Sequence, residues 1–328
     1  MNICKFILVT ILAFGTFFKL TAQKQTDYKN YHRDIIHAEE LITDEKYSDA
    51  LQIFEEVFDK YNYIFSKDYK VAAQLALFTK DEAKAFKFIK LGILDGWTLD
   101  EITGDKFFKR LQNEKEWETI KSQYDTLRSE YNKRINQQLG AEIHEMFKRD
   151  QRLDLPYYFR IGQKAKERYA LRKFAPNSEK QITRLNEILN NYGYPGEKLI
   201  GNEIWTLTIL IHHNSISRGY VQRDTLYPAL KPKLFDAIRK GEMSPGDYAL
   251  IEDWYVGVKS NWKDAAFGYV TALAKKDSSR SDTLRQSIGL CPIEIRNRLV
   301  DIQEQTGMNF YLDGTMWVKG KINFVDKK

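Results

Sequence analysis

The chain has 328 residues, 43% of them hydrophobic and 13% aromatic, which is enough to bury a sizeable core and to form about two domains. Its 51 basic and 45 acidic residues leave a formal charge of +6, and the two signs alternate along the sequence. So small an excess gives no support for a nucleic-acid or anionic-membrane partner, which a clustered basic face would indicate.

The first 22 residues have the features of a removable export signal. Lys5 precedes an apolar run from Phe6 to Phe18, and Ala22 provides a small residue for cleavage. The run is shorter than the roughly 20 apolar residues of a membrane-spanning helix. We therefore expect a periplasmic or secreted protein without stable membrane insertion, with an uncleaved N-terminal anchor as the alternative. Loss of the segment removes Cys4 and leaves Cys291 as the single thiol.

The region before the prolines is predicted to be helical. All seven prolines lie beyond residue 155, so the chain before them can form nearly uninterrupted helix. A spacing of 35 residues matches Ala38 with Ala73 and Ala50 with Ala85. Paired helices with a period of about 34 residues are typical of tetratricopeptide-like solenoids. We predict such a module over residues 23–127, although two matching helix pairs can also arise in an unrelated helical bundle.

The second region, residues 128–328, is predicted to be a mainly helical domain with its core at 142–269, so the expected fold class is mainly all-α. Turn signals separate helices at about 157–173, 178–191, 225–240, 245–259 and 293–306. The apolar run from Ile204 to Ile211 indicates a buried helix, with a buried strand as the alternative. The alternating tail at 308–325 predicts a short C-terminal β-hairpin.

Five motifs follow one another between Glu142 and Tyr269: MFKRDQ, ITRLNEILNNYGYPGEKLIG, an apolar run ending in His, YALIEDW and AAFGY. In this order they resemble a bacterial domain family of unknown function whose members often follow export signals and helical repeats. The resemblance places the family's residues at Asp150, Gln151, Gly193, Tyr194, Pro195, Gly201, His213 and Asp253.

One position and one four-residue segment depart from this family pattern. Trp254 stands where the family has Arg, and Phe267-Gly268-Tyr269-Val270 stands where it has Tyr-Gly-Thr-Gln. A family site that uses this ending is therefore altered in the present chain.

Polar residues of the second region suggest a pocket, formed by Asp150, Gln151, Arg152, His213 and Asp253. In the catalytic interpretation, His213 acts as acid or base and Asp150 or Asp253 orients it. Gln151, Arg152 and Tyr194 are then candidate binding residues. In the structural interpretation, the same polar groups satisfy one another inside a helical core.

The sequence offers no motif for a metal or a cofactor, and we predict neither. It contains no His-Glu-x-x-His, Cys-x-x-Cys or Gly-x-Ser-x-Gly pattern. Two hypotheses follow. In the first, the concave face of the repeats binds a protein or peptide, as a scaffold. In the second, the protein is an envelope or extracellular hydrolase that uses His213 with Asp150 or Asp253, and whether it is an enzyme stays open at this point.

Overall fold

The computed structural model describes residue 24, residues 26–312 and residues 320–326, so the predicted export signal lies outside the described residues. The fold is mainly α-helical, as predicted. The first region contains α1 (Tyr28–Thr43), α2 (Tyr47–Lys60), α3 (Ser66–Phe78), α4 (Glu82–Leu94), α5 (Leu99–Gly104) and α6 (Lys115–Arg134). The second contains α7 (Gln137–Tyr158), α8 (Gln163–Tyr169), α9 (Ala175–Tyr192), α10 (Glu197–Ile200), α11 (Trp205–His213), α12 (Arg218–Val221), α13 (Leu226–Arg239), α14 (Pro245–Ser260), α15 (Ser278–Ile288) and α16 (Ile293–Thr306).

Side chains at the helix starts explain several of these boundaries. The carboxylate of Asp81 accepts a hydrogen bond from the N–H of Lys84 at 3.0 Å and begins α4. Thr98 and Glu101 form a capping box at α5, in which the side chain of each residue accepts a hydrogen bond from the backbone N–H of the other. At α14, the Ser244 hydroxyl accepts from two backbone N–H groups and Pro245 occupies the first turn.

The first four helices form two antiparallel hairpins, in which α1 packs on α2 and α3 packs on α4. The small residues of the 35-residue match, Ala38, Ala50, Ala73 and Ala85, are all fully buried. Small side chains at these positions let the helix axes approach closely. The tetratricopeptide-like description of this arrangement stays a prediction.

The C-terminal helix belongs partly to the first core. Leu299, Ile302, Met308 and Phe310 pack among the buried residues of α1 to α6. The side-chain amide of Gln74 in α3 also clamps the backbone of Asn309, donating to its carbonyl at 2.7 Å and accepting from its N–H at 2.6 Å. The surface formed by α1 and α3 is therefore covered by α16 and the extended segment that follows it.

The second core joins α7, α9, α11, α13 and α14. Four predicted helices are confirmed within three residues at each end as α9, α13, α14 and α16, and the apolar run is helix α11. The helix predicted at 157–173 begins later than expected, because α7 ends at Tyr158 and Gly162 takes a φ of 86° before α8 begins. The rest of the predicted range is helical, as α8 and the π-helical segment Ala170–Phe174 that follows it.

The predicted C-terminal β-hairpin is wrong for the strand that the structure describes. Strand β2 (Phe324–Val325) pairs in parallel with β1 (Leu273–Ala274), with Leu273 opposite Phe324. Residues 313–319, which also belong to the predicted hairpin, lie outside the described residues. In the described part of the chain, no helix is both long and apolar enough to cross a membrane.

Candidate functional site

His213 lies at the end of α11 and is fully buried. Its Nδ1 lies 2.8 Å from the Ser178 hydroxyl, and its Nε2 lies 3.3 Å from Oδ2 of Asp224. Asp224 also accepts hydrogen bonds from the N–H groups of Leu226 and Tyr227 and so caps α13. Although burial raises the pKa of Asp224, the bonds from His213 and the backbone hold it below its usual value. The imidazole thus joins three helical elements inside the core.

The two carboxylates predicted to orient His213 have other partners in the structure. Asp150, also fully buried, contacts Nδ1 of the neighbouring His212 at 2.5 Å. Asp253 accepts hydrogen bonds from the backbone N–H groups of Ala266, Phe267 and Tyr269 at 2.5 to 2.8 Å. Burial raises the pKa of Asp253 to about 6, against the opposing effect of these backbone bonds. The predicted pairing of His213 with Asp150 or Asp253 is therefore replaced by separate contacts.

The three predicted binding residues do not form one site. Gln151 is partly exposed and donates to Asp150 at 3.4 Å, whereas Arg152 faces solvent. Tyr194 is only 2% exposed and follows Gly193, whose φ of 90° is a left-handed conformation that favours glycine. The Tyr194 N–H donates to Glu242 at 3.1 Å, which fixes this turn on the end of α13.

A cavity of 280 Å³ lies between the first region and the second. Its walls come from α1, the start of α3, α10, the start of α14, and the α15–α16 connection. Its imidazole, carboxyl, ammonium and guanidinium side chains belong to His32, Glu39, Lys67, Asp68, Glu197, Asp247, Arg285 and Arg296. Four of these residues, His32, Asp68, Arg285 and Arg296, are buried. A pocket lined by several buried ionisable groups is a candidate binding site.

Arg285 supplies a buried guanidinium group to this cavity and is 1% exposed. Its Nε donates to the carbonyl of Cys291 at 2.6 Å and its Nη1 to the Tyr269 hydroxyl at 3.1 Å. The Tyr269 ring lies between two guanidinium groups, 5.4 Å from that of Arg285 and 5.6 Å from that of Arg296. Among the described residues, no carboxylate lies within 4.0 Å of Arg285. The hydrogen bonds that the guanidinium group of Arg285 donates to Cys291 and Tyr269 therefore go to neutral groups.

His32 supplies a neutral imidazole to the same cavity. The residue is 5% exposed, and burial lowers its pKa to about 4. Its Nε2 has no hydrogen-bond partner among the described residues. A buried polar atom without a partner is uncommon in native proteins, and a ligand N–H or O–H group is one way to satisfy it.

Glu197 lies where the two regions meet. Its Oε1 accepts a hydrogen bond from the backbone N–H of Ser66 at 2.6 Å, across 131 residues of sequence. Burial raises the pKa of Glu197 to about 8, and the bond from Ser66 opposes this rise only in part. At neutral pH the carboxyl group is therefore mostly protonated, and it adds little negative charge to the cavity.

The raised pKa of Glu197 predicts a pH dependence of stability. Between the usual pKa of 4.5 and about 8, the folded state holds a proton that the unfolded state has released, so the free energy of unfolding falls as pH rises. We expect Glu197→Gln to flatten the stability curve between pH 5 and 8 by about 1 to 3 kcal/mol. Urea unfolding at each pH measures this, with exposed Glu116→Gln as the control. Curves that coincide for wild type and Glu197→Gln would contradict it.

A second cleft of 310 Å³ adjoins the cavity and shares Lys67, Glu197, Asp247 and Tyr311 with it. Tyr194, one of the predicted binding residues, also lines this cleft. Arg285 lines the cavity but not the cleft. Among the described residues, no group of three His, Cys, Asp or Glu side chains is placed to hold a metal ion.

The sequence contained little signal for this site, because its walls come from positions between 31 and 312. No pair of them forms a recognisable motif. The family resemblance covers only residues 142–269, whereas His32 and Arg285 lie outside it. Comparison with known proteins found no matching family model, curated protein or solved structure.

Proposed function

We propose that this protein binds short peptides and that the cavity between its two regions receives the free C-terminal carboxylate of the peptide. The observation that carries the proposal is the buried Arg285 guanidinium, which has no carboxylate within 4.0 Å among the described residues. The leader-like first 22 residues support a periplasmic or extracellular location for this role.

The energetics favour an anionic ligand at Arg285. A buried charge without an opposite charge is unfavourable, because the protein interior solvates a charge less well than water does. Two of the guanidinium N–H groups already bond to Cys291 and Tyr269, which fixes the plane of the group. A ligand carboxylate can then accept charge-assisted hydrogen bonds from the remaining N–H groups.

The rest of the cavity favours a ligand that also carries a positive charge and peptide groups. Asp68 and Asp247 line the walls together with Lys67, so the cavity carries charges of both signs, as a peptide with free termini does. The neutral His32, through Nε2, can accept a hydrogen bond from a peptide N–H. A cavity of 280 Å³ suits one or two amino-acid residues, and the adjoining cleft can hold the residues before them.

This proposal keeps the binding hypothesis but places the peptide in the cavity instead of on the face formed by α1 and α3. That face is covered by α16, and Gln74 already clamps the backbone of Asn309. The cavity lies beside this covered surface, since Tyr311 and Leu312 belong to its lining.

The geometry favours binding over hydrolysis. Ser178, His213 and Asp224 are in contact, but the first two are fully buried and the side chain of Asp224 is 3% exposed, so a substrate has no approach to them. The thiol of Cys291 lines the cavity, but burial raises its pKa well above the usual value. A thiol that stays protonated is a poor nucleophile.

A thermal-shift screen tests the proposal. We expect the protein to be stabilised by a subset of dipeptides and tripeptides with free C-termini, and less or not at all by the same peptides as C-terminal amides. Arg285→Gln should abolish the difference between acid and amide, and exposed Arg239→Gln is the matched control.

The peptide amides keep the test valid if Arg285→Gln fails to fold. They remove the negative charge that Arg285 is proposed to bind, and they leave the protein unchanged. The proposal fails if no peptide raises the melting temperature of the wild-type protein. It also fails if the acid and amide forms of the active peptides stabilise it equally.

A further inference from the structure

We propose that the tip between α7 and α8 is a docking surface for membranes with anionic lipid headgroups. Phe159 is 76% exposed and Ile161 is 95% exposed, the largest values among the large hydrophobic side chains of the described residues. They stand on either side of Arg160, in the short loop where Gly162 takes a φ of 86°. The loop thus projects two apolar side chains into solvent.

Positive charge surrounds these two side chains. The segment 159–173 contains one acidic residue, Glu167, against six basic residues: Arg160, Lys164, Lys166, Arg168, Arg172 and Lys173. Its charge of +5 is close to the +6 of the whole chain. The average over the whole sequence therefore concealed a clustered basic segment.

These six basic side chains lack the carboxylate partners that many basic residues have elsewhere in the chain. In the described part of the chain, none of the six lies within 4.0 Å of a carboxylate, whereas Arg184, Lys231 and Arg280 each form an ion pair at 2.9 Å or less. Five of the six are exposed. Cations that form no ion pair with a carboxylate present a positive surface to which an anionic partner is complementary.

Exposed apolar side chains within a basic surface match the chemistry of an anionic membrane surface. The apolar groups enter the boundary between headgroups and acyl chains, and each cation near the surface contributes about 1 kcal/mol of attraction. Two of these cations contact tyrosine rings. The Nζ of Lys166 lies 5.4 Å from the ring centre of Tyr157, and the Cζ of Arg160 lies 5.1 Å from that of Tyr169. Tyrosine rings are enriched at membrane interfaces.

The same features fit a protein partner less well. Protein interfaces have a central apolar patch from which charged residues are depleted. Here Arg160 lies between the two apolar residues of the loop, and the other five basic residues follow in α8 and the helical segment after it. The expected mode is reversible contact with the membrane surface, without spanning. It is independent of the peptide-binding proposal, because the tip residues do not line the cavity.

Vesicle flotation tests this proposal. The protein is a chain that begins at Gln23, which removes the leader-like segment and keeps every described residue. The vesicles contain phosphatidylcholine and phosphatidylglycerol in equal parts, or phosphatidylcholine alone. We expect preferential binding to the anionic vesicles and weaker binding as salt is raised.

Two variants with matched controls identify the surface. Phe159→Ser with Ile161→Ser, and Lys164→Glu with Arg168→Glu, should each lower affinity for anionic vesicles by at least about tenfold. Ile204→Ser, at a side chain 66% exposed, and Lys109→Glu with Lys115→Glu, at two exposed lysines, should leave affinity unchanged.

Three results would overturn the proposal. The first is no flotation of the wild-type chain with anionic vesicles. The second is equal loss of binding in the control variants. The third is self-association of the wild-type chain, abolished by Phe159→Ser with Ile161→Ser, in the absence of vesicle binding, which would identify the tip as a contact between protein molecules.

Discussion

Replacing His213 by Ala is expected to lower the free energy of unfolding by about 3 to 5 kcal/mol. The substitution removes the partner of buried Asp224 and of the Ser178 hydroxyl at once. Because water cannot reach either group, the loss includes the cost of leaving a buried carboxylate without its imidazole. Urea unfolding followed by circular dichroism gives the free energy.

The control for this prediction is His37→Ala. The His37 side chain is 56% exposed, so its loss should change stability by at most about 0.5 kcal/mol. A His213→Ala protein as stable as the His37→Ala protein would show that the buried contacts of His213 do not hold the second core together. Normal stability with lost hydrolytic activity would instead favour the catalytic interpretation.

Replacing Asp253 by Ala is expected to lower the free energy of unfolding by about 2 to 4 kcal/mol at neutral pH. The carboxylate accepts three backbone hydrogen bonds from the turn at Ala266 to Tyr269, and without it these N–H groups are left in a buried environment. The turn should loosen, and its amides should exchange hydrogen faster.

Hydrogen exchange measured by mass spectrometry checks this effect locally, and Asp236→Ala serves as the control. Asp236 pairs with Lys240 one turn later on the surface of α13, and its side chain is 50% exposed. Slow exchange of residues 266–269 in the Asp253→Ala protein would contradict the assigned role. The same loosening is expected to disturb Tyr269 and, through it, Arg285.

Local sequence patterns predicted the fold class and several helices because helix formation depends on neighbours three and four residues away. Ser244 and Pro245 explain why α14 begins where it does, and Gly307 explains why α16 ends at Thr306. The hairpin prediction failed because strand β2 pairs with β1, about 50 residues earlier in the chain. Alternation along one strand carries no information about a distant partner.

The candidate site was predicted only in part for the same reason. The sequence indicated His213 as a site residue, and its side chain lies inside the second core at the end of α11. Its partners, Ser178 and Asp224, could not be inferred, because only the packing of α9 and the start of α13 brings them to α11. The cavity is lined by His32, Glu197 and Arg285, which lie in three separate parts of the chain.

Calorimetric titration of the wild-type protein with the most stabilising peptide measures whether the cavity recognises the C-terminal carboxylate. The titration is done with the free acid and with the C-terminal amide, and is repeated with Arg285→Gln. We expect the amide to bind the wild-type protein at least about tenfold more weakly than the acid, and both forms to bind Arg285→Gln equally weakly. Equal affinity of the acid and the amide for the wild-type protein would contradict the role assigned to the buried Arg285.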